Sequence, residues 1–458
     1  MMSVSEAAFA LGVEHRGDNP TVTSVGTDSR NVRHGELFIA LRGQYFDAHQ
    51  YLGAAQAAGA VAAMVDVEGA TLAPKSLPLI TVNDTGKGLT QLAYAWRSRF
   101  SMPLVALTGS SGKTAVKEML AAILREQAGY GHDSVLATRG NLNNEIGVPL
   151  TLLALREEHR CAVIELGMNH AGEISRLTQL ARPDVALINN AGHAHIEHLG
   201  SMEAIARAKG EIFEGLSRTG IAVFNADDQY TVLWQELCSK NKCIRFGLMR
   251  EAEISADYEL HALDSNIQII TPAGEVNTKL NAPGLHNVRN ALAAAAAAFA
   301  LDVPLLAIVA GLSRYKGVSG RLQYKAARAG GTLIDDTYNA NPESMRAAID
   351  VLAKTPGQRV LVLGDMGELG ASAAACHSEV GAYARAADIK TLYALGEMSA
   401  YTVAAFGEGA RHFSEMESLL VQLKSSLAPD VTVLVKGSRF MKMERVVGAL
   451  AAGGSACS

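Results

Sequence analysis

Seven consecutive residues, Thr108, Gly109, Ser110, Ser111, Gly112, Lys113 and Thr114, carry the clearest chemistry in the chain. They end the apolar run PLVALTG (103–109) and open an amphipathic stretch, so the pattern predicts a strand, a tight turn and a helix. Glycines let backbone N–H groups approach phosphate oxygens, and a helix N-terminus favours anions. Lys113 would add positive charge, and Thr114 a hydroxyl for Mg²⁺. The general phosphate-loop pattern wants another glycine five places before Gly112, where Leu107 stands, so the match is incomplete. A glycine-rich turn with an incidental Lys-Thr pair is the bland alternative; the flanking strand and helix weigh against it.

A second group lies at the ends of the next two apolar runs. Glu165 closes CAVIEL (161–166), and His193, His195, Glu197 and His198 follow DVALINN (184–190). In open parallel sheets ligands bind beyond the carboxyl ends of strands, so these side chains can converge on phosphates held above Lys113. Three histidines and a glutamate also match a zinc site, but the phosphate loop favours magnesium. A loop hydrogen bond is an equally good role for any one of these histidines.

Weaker signals come from three places. Lys209 sits in a helical stretch, where a solvated lysine is the usual explanation. Asp335 and Asp336 end a later strand, where a carboxylate can meet a ribose hydroxyl or cap the helix that follows. Arg321 falls in a hinge-like segment, able to reach a phosphate or to lie on the surface. From spacing alone the chain reads as an ATP-using α/β enzyme.

These residues need a scaffold, and the alternation of apolar strands with helices provides one. Strand-like GELFIAL (35–41), helical YLGAAQAAGA (51–60) and strand-like VAAMVDV (61–67) form a small α/β unit. After PLITVND (78–84) and a helix near 86–100, a strand and helix alternation runs to about 226, predicting a mostly parallel sheet covered on both faces. Segment 254–280 alternates like an antiparallel insert, and the helix at 287–301, apolar nearly all round, is expected to be buried. A second α/β cycle begins with GTLIDD (331–336) and includes helices expected from Pro342 and His377. The predicted fold is α/β in three units: 1–82, 83–313 and 314–458.

Composition narrows the class of function. A net charge of -5 gives no broad basic surface, so no nucleic-acid partner is expected. Five scattered cysteines without a C-x-x-C pair indicate neither a disulfide framework nor a thiolate zinc site. The first residues lack the basic region of a secretory signal, and the longest apolar run, 291–301, is about half of what a membrane-spanning helix needs. A soluble cytoplasmic protein without membrane insertion is the expectation.

Taken together, several segments resemble the Mur ligase family of peptidoglycan synthesis. They are TDSRNVRHGELFIALRG (27–43), TGSSGKT (108–114), GNLNNEIGVPLTLL (140–153), ELGMNHAGEI (165–174), AHIEHLGSMEAIARAKGEIF (194–213), LIDDTYNANPESM (333–345), GDMGELG (364–370) and VKGSRFMKMERVV (435–447). The family's phosphate loop also lacks the early glycine. The resemblance implies three domains: an N-terminal one for the UDP substrate, a central ATPase, and a Rossmann-like C-terminal one. It implies an ATP-dependent ligase that makes an acyl phosphate on UDP-MurNAc-tripeptide and joins D-Ala-D-Ala to it, a step in building the cell wall and so in cell shape and division. Small-molecule substrates and a monomer are expected.

By motif, Ser29, Arg30 and Gly43 would meet the UDP-sugar, and Asn141, Asn143 and Asn144 the muramoyl peptide. Thr114, Glu165, His195 and Lys209, the last as a carbamate, would hold two magnesium ions. His286, Asn287 and Asn290 resemble the adenine-side element, Arg321 the phosphate sensor and Asp336 the ribose contact, while Asn339 and Asn341 are candidates for the dipeptide side. The tripeptide ligase of the same family and folylpolyglutamate synthetase are the nearest alternatives. A P-loop ATPase that makes no bond, and a non-catalytic UDP-sugar binder, are the more distant ones.

Overall fold

A computed structural model describes residues 1–127, 132–192 and 199–452. Six strands, each short and rich in β-branched or aliphatic side chains, form the central sheet in the order Lys242–Phe246, Ile221–Asn225, Val185–Ile188, Leu104–Thr108, Cys161–Glu165, Val135–Ala137. All of its pairings are parallel. The chain leaves Leu104–Thr108 for the sheet edge, returns beside it, and then crosses to its other side. Strand order therefore reverses around Leu104–Thr108, which places the loop at 109–112 at the crevice where open α/β sheets bind ligands.

Alternation along that strand explains how both faces are covered. Leu104 and Ala106 point into one apolar cluster, which includes Leu92, Trp96 and Leu177 from the helices Thr85–Arg97 and Glu173–Ala181. Val105 and Leu107 point into another, formed with the helices Lys113–Glu126 and Leu285–Ala300. The second of these helices buries Ala293 to Ala298 without a break, as its all-round apolar sequence predicts; the small side chains allow close packing on the sheet.

The N-terminal five-stranded sheet, ordered His15–Arg16, Leu79–Val82, Ala60–Asp66, Glu36–Ile39, Ser24–Gly26, pairs in parallel except at its first strand. Leu37, Ile39 and Met64 on one of its faces join the same cluster as Leu104, so this unit is packed onto the central one. Helix Thr85–Arg97 forms the seam: Trp96 Nε1 donates to Leu155 O (3.1 Å) and Arg97 Nε to Ala181 O (3.0 Å).

The insert at 254–280 is a three-stranded antiparallel sheet, as expected. The C-terminal sheet runs Gln323–Ala326, Thr332–Asp336, Val431–Lys436, Gln358–Gly364, Thr391–Leu395, Ala410–Phe413, parallel except for its first strand. That antiparallel edge and the strand Ala410–Phe413 were not legible in the sequence, being short and only partly apolar. Two more boundaries differ. The helix expected from His377 starts at Ala373, and the helical stretch that carries Lys209 is an α-helix over Met202–Gly210 and tightens to a 3₁₀ turn over Glu211–Gly215. Among the described residues no helix is long and apolar enough to cross a membrane.

Candidate active site

Gly112 caps the helix Lys113–Glu126 with φ +80°, a left-handed backbone that only glycine adopts without cost. The loop before it is held from the neighbouring strand end. Asn190 Oδ1 accepts from Ser111 N (2.9 Å), Asn189 Nδ2 donates to Ser111 O (2.9 Å), and Ser110 Oγ receives Gly192 N–H (2.8 Å). A Cβ on Gly112 would collide with Asn290 Oδ1 and lie 2.6 Å from Asn189 Nδ2. Gly112→Ala is therefore expected to weaken Mg·ATP binding more than tenfold, the left-handed backbone alone costing about 1 kcal/mol and the collision adding to it. Calorimetric titration with a non-hydrolysable ATP analogue checks this, with circular dichroism to confirm folding.

Lys113 Nζ donates to Gly109 O (2.6 Å), so the ammonium is folded back over the turn. Burial holds its pKa below the usual lysine range; Glu165 acts against this and Arg321 with it. Thr114 Oγ1 donates to Glu165 Oε2 (3.0 Å), while Asn143 Nδ2 donates to Oε1 (2.8 Å) and Thr138 Oγ1 receives Glu165 N–H (2.9 Å). A hydroxyl and a buried carboxylate at the mouth of a phosphate loop are the oxygen donors that Mg²⁺ takes, so these residues fit that ion.

The C-terminal unit closes on this loop. Arg321 Nη2 donates to Thr114 Oγ1 (3.0 Å), its guanidinium lies 4.3 Å from the Tyr338 ring centre, and its buried Nε has no hydrogen-bond partner among the described residues. It is not a surface arginine. Asn341 Nδ2 reaches Ser111 Oγ (3.2 Å), and the Glu343 carboxylate lies over Gly192. Asn341 Oδ1 also accepts from Ser344 N (2.8 Å), which makes Asn341, and neither Asp335 nor Asp336, the cap of helix Pro342–Ala353.

Asp336 instead receives Lys436 Nζ (2.7 Å) and Leu322 N–H (3.1 Å). Burial raises its pKa despite Lys436. Lys436 also donates to Asn339 O (2.9 Å), whose side chain accepts from Ala340 N (2.9 Å). Burial drops the His286 pKa to about 4, with Lys436 and Arg289 adding to the effect, so the ring is neutral at pH 7. Asn287 Nδ2 donates to Pro283 O (2.8 Å), and Asn290 Oδ1 accepts from Asn189 Nδ2 (3.0 Å).

A cavity of about 1090 Å³ connects most of these groups. Its walls include Lys113, Asn141, Asn143, Asn144, Glu165, His286, Asn287, Asn290, Arg321, Asp336, Asn339 and Asn341. Ser29, Arg30 and Gly43 are not on its walls; Arg30 lies in an exposed turn paired with Asp28 (2.8 Å), and Gly43 N donates to Phe46 O (2.7 Å). His193, His195, Glu197 and His198 lie outside the described residues. Sequence reasoning missed Asn189, Asn190 and Lys436, although the Asn-Asn pair at a strand end and the lysine of VKGS were visible signals.

Lys209 corrects the expectation of a solvated side chain: it is 1 % exposed. Burial first, then the positive charge of Lys113, pushes its pKa well down, against the opposing pull of Asp228 and Glu343. Among the described residues its ammonium meets no hydrogen-bond acceptor. Burial of this kind favours the neutral amine, the nucleophilic form, over the ammonium.

Comparison with known proteins matches three family models: "Mur ligase family, catalytic domain" over residues 21–97, "Mur ligase middle domain" over 107–298 and "Mur ligase, glutamate ligase domain" over 320–439. The chain is 44% identical over 462 residues to the UDP-N-acetylmuramoyl-tripeptide--D-alanyl-D-alanine ligase of Escherichia coli K12, covering 99% of each. It is similar to a crystal structure of MurF from Acinetobacter baumannii, with a TM-score of 0.89 and 36% identity over 97% of this chain and 98% of the other. A MurF ligase from Thermotoga maritima in complex with ADP gives 0.79 and 27%, covering 93% of this chain and 96% of that one.

Proposed function

The chain belongs to the Mur ligase family, and from that premise we propose that it joins D-alanyl-D-alanine to UDP-MurNAc-tripeptide with cleavage of ATP to ADP and phosphate. The observation that supports this most is a phosphate loop, a carboxylate and an arginine from the C-terminal unit meeting at Thr114. The terminal carboxylate of the tripeptide attacks the γ-phosphorus of ATP, forming an acyl phosphate and releasing ADP. The amine of the dipeptide then adds to the acyl carbon, and the tetrahedral adduct expels phosphate as the amide forms.

Lys113 balances the charge that spreads over the transferring phosphoryl oxygens, and the N–H groups of the turn cradle the same oxygens. Arg321, with an unpartnered Nε, supplies a second cation from the C-terminal side. Magnesium, held by Thr114 and Glu165 with His195 and carbamylated Lys209 at a second ion, would screen the phosphates from the attacking carboxylate. We assign the adenine side to His286, Asn287 and Asn290, the ribose to Asp336, the UDP-sugar to Ser29, Arg30 and Gly43, the muramoyl peptide to Asn141, Asn143 and Asn144, and the dipeptide side to Asn339 and Asn341. The domain limits are 1–82, 83–313 and 314–458. The enzyme acts in the cytoplasm as a monomer, supporting cell shape and division.

The test is to incubate the protein with ATP, Mg²⁺, UDP-MurNAc-tripeptide and D-Ala-D-Ala. The expected product is UDP-MurNAc-pentapeptide by mass, formed in step with ADP. Diaminopimelate, lysine and glutamate in place of the dipeptide should give no product; an adduct with any of them, and none with the dipeptide, would reassign the chain within the family. ATP hydrolysis indifferent to every acceptor would make it an ATPase only.

A further inference from the structure

Two of the five cysteines come together at one place. Cys238 ends the helix Thr231–Leu237, Cys243 lies on the edge strand Lys242–Phe246, and their sulfurs are 3.2 Å apart. Both are free thiols; Cys238 is buried and Cys243 half-buried. The two are not equivalent. The hydrogen bond from Cys238 lowers the Cys243 thiol to about 7, burial and Glu253 opposing and Arg245 assisting, whereas that same bond and burial push Cys238 far up. The more accessible Cys243 is thus the thiol that ionises more readily, with the buried Cys238 beside it. Cys161, by contrast, is buried and pushed up to about 12, with no second thiol beside it among the described residues.

We propose that Cys238 and Cys243 are a dithiol modification site, closed to a disulfide by hydroperoxides. The Cys243 thiolate attacks a peroxide oxygen, the O–O bond breaks, and Cys243 becomes a sulfenic acid as hydroxide leaves and takes back from solvent, as water, the proton that the Cys243 thiol had released. The Cys238 sulfur then attacks the Cys243 sulfur; the S–S bond forms, the S–O bond breaks, and hydroxide leaves with the Cys238 proton as a second water. Two thiols lose two electrons and two protons, and hydrogen peroxide is reduced to two waters. The sulfurs need to close from 3.2 Å to about 2.05 Å, a movement a side-chain rotation can supply.

The site is one layer behind the catalytic lysine. Trp234 Nε1 donates to Ala206 O (3.0 Å), and Leu237 packs against Gly210, the neighbour of Lys209. Oxidation ties the end of this backing helix to the sheet edge.

Full-length protein is treated with a small excess of hydrogen peroxide, alkylated, digested and analysed by mass. A linked peptide pair joining Cys238 to Cys243 should appear roughly tenfold faster than oxidation of Cys161 or Cys376, and dithiothreitol should reverse it. Cys243→Ser should prevent the link, and Cys238→Ser should stop at a Cys243 sulfenic acid trapped by a 1,3-dione. Because Cys238 is buried, the wild-type result decides if that variant fails to fold. Sulfinic acid at Cys243 without a link, or oxidation of Cys376 while both thiols stay reduced, overturns the proposal.

Discussion

Lys113→Ala is expected to lower ligation by on the order of 10³-fold, equivalent to about 4 kcal/mol of transition-state stabilisation. In phosphoryl transfer the protein contributes mainly charge placed where negative charge spreads, and Lys113 is the cation on the phosphate loop itself. Among the described residues the one hydrogen bond of its side chain is to Gly109 O, inside its own turn, and burial already lowers its pKa. Little packing depends on it, so the variant should fold and melt within a few degrees of the parent. Steady-state product formation, paired with thermal unfolding, separates loss of chemistry from loss of structure. A folded Lys113→Ala protein that still makes pentapeptide at a tenth of the parent rate would falsify the assignment of this loop to the transferred phosphate. Lys113→Arg should recover little, because a planar guanidinium cannot fold back to Gly109 O as the compact ammonium does.

Why so much of this site was legible is a matter of local constraints. A helix N-terminus that must admit phosphate needs Gly112 at positive φ and a cation directly after it, so three adjacent residues announce the chemistry. Near-continuous apolar runs such as 161–166 predict strands of a parallel sheet because each of its faces is buried by a different helix layer; the clusters on the two sides of Leu104–Thr108 bear this out.

What the chain conceals is anything set by distant segments. Arg321 and Thr114 are 207 positions apart, and no local pattern distinguishes an arginine over Tyr338 from one in water. Lys436 meets Asp336 across 100 positions for the same reason. Cys238 and Cys243 are close in sequence, yet only the turn that brings the edge strand back beside its helix makes them neighbours. Helix starts suffer too. His377 suggested a start because it is polar, whereas its ring accepts Met366 N–H (2.9 Å) inside the fold, one turn into a helix that began at Ala373.

Lys209 is the case where spacing misled, and it carries the second large expectation. A helix at 202–210 with Arg207 exposed beside it gives no hint that the next lysine is turned inward. Once buried, an ammonium that meets no carboxylate in hydrogen-bond reach among the described residues is costly, and burial lowers the pKa towards the neutral amine. A neutral amine can add to carbon dioxide; one proton is released and a carbamate forms, with the two oxygens a carboxylate would have. The charge at this position changes from neutral to negative, which suits a cation.

Two results are therefore expected together. Protein equilibrated with ¹³C-bicarbonate should show a carbamate carbonyl resonance that is absent from Lys209→Met, and that variant should lose on the order of 10²-fold or more in ligation while still binding nucleotide. Stripping carbon dioxide should lower the parent's rate, and bicarbonate should restore it without new protein. A parent chain with no such resonance and a rate indifferent to bicarbonate would leave Lys209 as an unmodified buried lysine and would overturn its assignment as a carbamate.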